Sequence, residues 1–200
     1  AKILISNLLD YCPVLNITPR QVAKNLYVPT KKAKAKSVFT NEELSRLWEA
    51  DPSIYSRAIL IMIYSGMRIG ELFQLRPEQV HLDDRYLVGG EKTEAGRDRT
   101  IPIRQEIVPL LADFLDNKGG SNTTASFTAR VGGYLDAIGM DHTSHEARHT
   151  FISFAIQSQI PLPTIQQIVG HASGSVTTSV YTHIPTRELI KAVDSISFVW

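Results

Sequence analysis

Cysteine is almost missing from this chain: Cys12 stands alone, so no disulfide can form within it. A cytosolic setting suits a chain without such a cross-link. No run of about 18 apolar residues occurs, so nothing reads as a membrane-spanning helix and no membrane partner is expected. A surplus of either charge is missing too. Lys and Arg number 21 against 20 Asp and Glu, a net charge of +1. Bulk charge therefore cannot hold a polyanion, and any nucleic-acid surface must come from local clustering. There is no signal-peptide layout, and the first residue is Ala1 rather than Met, so the chain reads as a fragment of a longer protein. What is present is 43% hydrophobic residues, ordinary for one or two globular domains with a real core.

One absence is local. From Tyr11 to Asn41 there is no Asp or Glu, while Arg20, Lys24, Lys31, Lys32, Lys34 and Lys36 fall in the same span. Residues 29–39 read as an extended basic linker. It is either a solvated hinge or a strap whose lysines lie on phosphates, each contact adding salt-sensitive affinity. Before it, residues 1–28 hold one apolar helix face over residues 3–9, broken by Pro13 and Pro19. That piece is too small to bury a core and reads as the end of an upstream domain.

Helical signals start at Thr40-Asn-Glu-Glu43, a capping box, with Leu44, Leu47 and Trp48 on the buried side. Ser53 can cap a strongly apolar helix that Gly66 ends, and a short helix runs from about Arg68 to Leu75. Gln79–Leu82, Tyr86–Val88 and Thr100–Ile103 are short β-rich pieces, read as an antiparallel sheet with a polar hairpin tip at residues 89–98. Helical patterns return at Glu106–Asp116, at Phe127 to Ile138, and from about Thr186 to Ile196. The expected fold is mainly α with a small three-stranded antiparallel sheet.

The chemistry gathers in His145-Glu-Ala-Arg148-His-Thr-Phe, Val169-Gly-His171 and Ser179-Val-Tyr181. On a helix, His145 and Arg148 share a face. His171 follows Gly170, a residue suited to ending a helix, which sets it at a corner open to a ligand. Arg, His and Tyr together suggest a phosphate gripped by cationic donors and attacked by a phenol oxygen. Taken singly each has a plain reading: Arg68 as an exposed arginine, His145 as a packing histidine, Tyr181 as a rim tyrosine.

Ser65-Gly-Met-Arg68-Ile-Gly-Glu71-Leu, the lysine hairpin, His145-x-x-Arg148-His-Thr, Val-Gly-His171 and Tyr181, in that order, resemble the catalytic domain of tyrosine recombinases, the phage-integrase family. The resemblance covers residues 40–185. It implies that Arg68 and Arg148 grip the scissile phosphate, that His171 donates a third hydrogen bond, and that His145 assists proton movement. Cations aimed at developing charge are usually the largest catalytic contribution, and planar, always-charged guanidinium groups suit the task. Tyr181 would be the nucleophile, forming a 3′-phosphotyrosine bond and a free 5′-hydroxyl. Lys92 matches the hairpin lysine that protonates the leaving oxygen. Glu71 reads as a supporting carboxylate that orients a neighbour, and Arg97 and Arg99 as phosphate contacts beside Lys92.

The family needs no cofactor and no metal, and no ATP is implied because the phosphotyrosine keeps the energy of the broken bond. Implied partners are double-stranded DNA and three further copies of the chain, a homo-tetramer on two DNA sites assembled from free monomers, with accessory DNA-bending proteins in some systems. Residues 186–200 are candidates for a segment exchanged between protomers, with docking on the same chain as the alternative. The setting implied is the cytoplasm of a bacterium or a phage-infected cell, at the nucleoid. Three rival readings stand beside site-specific recombination: a type IB topoisomerase-like nicking-closing enzyme, a catalytically inactive DNA-binding relative, and an interaction domain that does not bind DNA.

Overall fold

Helix α2, Ile54–Ser65, is apolar on every side, and a helix of that kind has to lie inside other helices. From Ala58 to Ser65 every residue is buried. Ser53 caps its start and Ser56 returns a hydrogen bond to the cap backbone. Gly66 ends it at φ +69°, where a Cβ would meet the Phe151 ring at 2.6 Å. Left-handed backbone and close approach both demand glycine at this corner.

The computed structural model describes residues 37–90, 98–118, 123–170 and 184–198. Around α2 pack α1 (Asn41–Glu49), α3 (Ile69–Gln74), α4 (Val108–Asn117), α5 (Thr124–Ala137) and α6 (Ser144–Gln157). The chain continues through α7 (Leu162–Val169) and α8 (Thr186–Asp194). The capping box of Thr40 and Glu43 forms, with bonds of 2.8 and 3.2 Å. No helix among the described residues is long and apolar enough to cross a membrane.

The sheet is antiparallel in the order β1 (Val80–His81), β2 (Tyr86–Gly89), β3 (Arg99–Pro102). Leu87 pairs with both Val80 and Ile101, and Gly89 faces Arg99. β1 is shorter than expected because a 3₁₀ turn opened by Pro77 takes Gln79. β3 packs against α7 and α8. The expected helix at 106–116 is split: a 3₁₀ turn over Gln105–Ile107 leads into α4, where Pro109 sits in the first turn and needs no N–H partner.

Two ends of the described chain are tied down by specific contacts. Phe39, at the end of the expected linker, is buried, and its backbone N–H donates to Thr150 Oγ1 at 2.9 Å. Its ring stacks on His142 at 4.0 Å, and His142 Nε2 lies 3.0 Å from Glu43. An apolar side chain thus extends the core into the end of a segment whose lysines suggest a solvated hinge or a strap on phosphates. At the other end, Leu189, Val193, Ile196 and Phe198 are buried. Arg104 holds them: it donates to the carbonyls of Val193 and Ile196 at 2.6 and 2.7 Å and lies over the rings of Tyr64 and Phe198. In the single chain, residues 186–198 therefore dock on their own core rather than standing free. Residues 1–36, 91–97, 119–122, 171–183 and 199–200 lie outside the described residues, and with them the expected upstream remnant.

Candidate active site

The corner after α2 sets the first candidate. Gly66 turns the chain, Met67 is buried, and Arg68 becomes the N-cap of α3 with extended backbone. An arginine is a poor choice there for the helix dipole. Glu71, one turn on, offsets it: Oε2 accepts the Arg68 backbone N–H at 2.9 Å and Oε1 accepts Arg68 Nη1 at 2.8 Å. The Arg68 side chain keeps about a third of its surface exposed, 33%. It lines a cleft of about 350 Å³ with Ile69, Gly70, Glu71, Gln74, Thr124 and His145.

His145 reaches this cleft from the first turn of α6, its ring edge-on to His149 at 4.6 Å. Arg148, three residues on, is 2% exposed. Its Nη1 donates to Gly66 O at 2.8 Å and its Nη2 to Val169 O. Among the described residues, these two contacts use two of its five guanidinium N–H groups. The residue thus ties the corner before Arg68 to the end of α7. Burial, then the charge of Arg68 and Arg99, pull its pKa down to about 9, with Glu71 opposing. It stays charged at neutral pH, under strain that an anion would relieve.

Arg99 departs from its expectation. Expected as a phosphate contact on the hairpin, it is instead 7% exposed and turned into the protein. Nη1 and Nη2 donate to the two oxygens of Glu71 at 3.0 and 2.8 Å, and Nε donates to Ile168 O at 2.8 Å. The physical reason is strand alternation: Arg99 lies on the same face of β3 as buried Ile101. That alternation is legible in the sequence, where Arg99 stands two residues before Ile101. Glu71, buried among these donors, would have its pKa raised by burial; the bonds and charge of Arg99, then of Arg68, more than reverse this and leave it lowered.

α7 ends at Gly170, φ +66°. The carbonyls that a helix end leaves unpaired are taken by Arg99 at Ile168 and Arg148 at Val169. Further along, Gln167 bonds both the N–H and the carbonyl of Ile184 at 3.2 Å. So α7 anchors the chain on both sides of residues 171–183. His171 and Tyr181 fall in that interval and lie outside the described residues, as do Lys92, Arg97, Lys31, Lys32, Lys34 and Lys36. The structure brings together Arg68, Glu71 and His145 at the cleft, with Arg148 and Arg99 behind them. Two guanidinium groups, of Arg68 and Arg99, share the Glu71 carboxylate, Arg148 adds a third positive charge nearby, and the excess of positive charge suits a bound phosphate.

A family model described as "Phage integrase family" matches residues 37–188. A tyrosine recombinase XerA of Pyrococcus furiosus is 30% identical over 174 residues, covering 78% of this chain and 60% of its own. An integrase from mycobacterium phage Brujita shares the fold with a TM-score of 0.68 at 15% identity, over 98% of this chain and 70% of that one. A lambda integrase tetramer bound to a Holliday junction aligns with a TM-score of 0.60 at 20% identity, over 88% of this chain and 59% of that one. The chain spans 59–66% of the length of the first curated relatives it matches.

Proposed function

Because the chain belongs to the phage integrase family, we propose that it supplies the catalytic part of a site-specific DNA recombinase, cutting duplex DNA through a covalent 3′-phosphotyrosine. The observation that carries this is the cluster of Arg68, Arg148 and Arg99 around the single carboxylate of Glu71, with Arg68 and His145 open to one cleft. Glu71 accepts four hydrogen bonds, two from Arg68 and two from Arg99, so its lone pairs are spent and it cannot serve as the base.

The scissile phosphate sits against Arg68 and Arg148, whose fixed guanidinium groups stabilise charge that grows on its non-bridging oxygens. Tyr181 attacks phosphorus and the 5′-oxygen leaves. A phenol with a pKa near 10 is about one part in a thousand ionised at pH 7, so the cations and His145 must draw off its proton. Lys92 gives a proton to the leaving 5′-oxygen and His171 donates to the phosphate. The 5′-hydroxyl of a second duplex then attacks the phosphotyrosine, which restores the tyrosine and joins the new strand. Both steps are transesterifications with no net change in phosphodiester count. The working unit is a tetramer on two DNA sites, and the biological task is integration or excision of a phage or mobile element. Lys31, Lys32, Lys34, Lys36 and Arg97 add phosphate contacts around the site. In the tetramer, exchange of residues 186–200 between protomers requires Ile196 and Phe198 to leave the pocket that Arg104 closes.

The test is a covalent trap. Full-length protein is incubated with nicked duplexes from the ends of its own element, in EDTA, and quenched with detergent. Wild type forms a protein–DNA adduct; Tyr181→Phe forms none, and Arg68→Lys falls by about a hundredfold or more. Joining of strands from two different duplexes separates a recombinase from a nicking-closing enzyme. Absence of any adduct from wild type on its own site overturns the reading.

A further inference from the structure

We propose that Arg99 is a positioning residue for the reaction, a brace that fixes Arg68 and the end of α7 at one distance from each other. The inference rests on the reading of the site given above and extends it to a residue that touches no DNA. Arg99 grips both oxygens of Glu71, and Glu71 in turn holds the Arg68 side chain and backbone. With its third donor Arg99 holds Ile168 O, in the last turn of the helix that Gly170 ends. A Cβ at Gly170 would lie 3.0 Å from Arg99 Cδ and Nε, so the backbone leading to His171 runs directly over this side chain.

Two tethers therefore span the same gap. Arg148 joins Gly66 to Val169, and Arg99 joins Glu71 to Ile168. A single tether permits rotation about itself; two make the corner that bears Arg68 and the end of α7 one rigid unit. Arg99 also opens β3, next to Asp98 at φ +52°, where the chain re-enters the sheet from the segment bearing Lys92. One guanidinium thus contacts the supports of Arg68 and of His171 and stands on the strand that continues from the segment of Lys92. Catalysis needs such groups held to a fraction of an ångström, and a displacement of about 1 Å costs about a hundredfold in rate.

The experiment uses full-length protein carrying Arg99→Gln or Arg99→Lys, with single-turnover cleavage and DNA affinity against salt measured on the same substrate. In Arg99→Gln cleavage falls about a hundredfold, while DNA affinity and its salt slope stay as in wild type. Arg99→Lys keeps the charge but not the three-point fork, and recovers only a small part of the rate. Should Arg99→Gln fail to fold, Arg99→Lys carries the same test. Adding Glu71→Gln to Arg99→Gln lowers the rate no further than the worse single change, because the two act through one contact. The cleavage of Arg99→Gln also gains a rise with pH absent from wild type. Buried Glu71, left among the described residues with Arg68 at the start of its own helix and Arg148 and His145 on α6, then ionises at higher pH. A merely structural loss lowers the folded fraction and leaves the shape of the pH profile unchanged.

Cleavage by Arg99→Gln at the wild-type rate overturns the proposal. So does a salt slope lower by about one, which makes Arg99 a phosphate contact instead. Wild-type protein that forms no adduct removes the reading beneath, and that control separates the two failures.

Discussion

Glu71 is the residue on which the charges of the site balance. Its carboxylate is almost fully buried and pairs with Arg68 on its own helix and Arg99 on β3. Removing one partner of such a pair leaves charge unmatched inside the protein, so Glu71→Gln should cost about 3 kcal/mol, read from denaturant unfolding at neutral pH. Its lowered pKa fixes the sign of the pH effect. The stabilisation is fully present above the ordinary carboxylate value of 4.5 and is lost as pH falls through the lower folded value. Wild type should lose stability steeply on that acid side, and Glu71→Gln should show a shallower acid slope. Equal slopes would mean that Glu71 is not paired in solution. Arg148 works in the opposite sense. A base held well below its usual range, at about 9, costs the folded state at every pH where it is charged. Inorganic phosphate at neutral pH should therefore raise the melting temperature of wild type. The rise should shrink in Arg68→Ala, as thermal unfolding with and without phosphate would show.

At the scale of elements, corners and helix ends carry the function. Gly66 makes the turn that delivers Arg68, at φ +69° against the Phe151 ring. Gly66→Ala should destabilise the protein by about 1–3 kcal/mol and displace Arg68, measured by unfolding and by cleavage on the same preparation. A Gly66→Ala protein of wild-type stability would contradict the corner's role. The C-terminal segment is a separate device. Arg104 takes the carbonyl of Val193 near the end of α8 and that of Ile196 beyond it, and covers Phe198. Arg104→Met should speed amide exchange over residues 194–198 while leaving α2 protected, because the latch is local.

Much of this was legible before any coordinates. Thr40, Ser53, Gly66 and Gly170 announced helix ends through cap chemistry, and the buried positions of α1, α2 and α5 followed from spacing. Arg68, His145 and Arg148 stand out in the sequence by their types and order; the structure places Arg68 and His145 at one cleft and Arg148 behind it. Contacts between residues far apart in the chain were not legible. Nothing local says that Arg99 meets Glu71 or that Arg104 meets Ile196, since those depend on how β3 lies against α7 and α8. His142, given no role from sequence, lies between Glu43 and Glu146 for the same reason.

Across the described residues at large, one helix, buried from Ala58 to its end, orders five others, and a small sheet sets its β3 strand against α7 and α8. The cleft opens where three of these pieces end: the start of α3, the start of α5 and the first turn of α6. Helix starts facing one cleft with a surplus of arginine favour an anion there. The account stands on the claim that this anion is a DNA phosphate attacked by Tyr181. The most direct measurement is to trap the adduct of full-length protein with its own site, digest DNA and protein, and find by mass spectrometry which residue bears the nucleotide. The account predicts a 3′-linked nucleotide on Tyr181, formed equally well in EDTA. A nucleotide on any other residue, or none at all on a site that the protein binds, would contradict it.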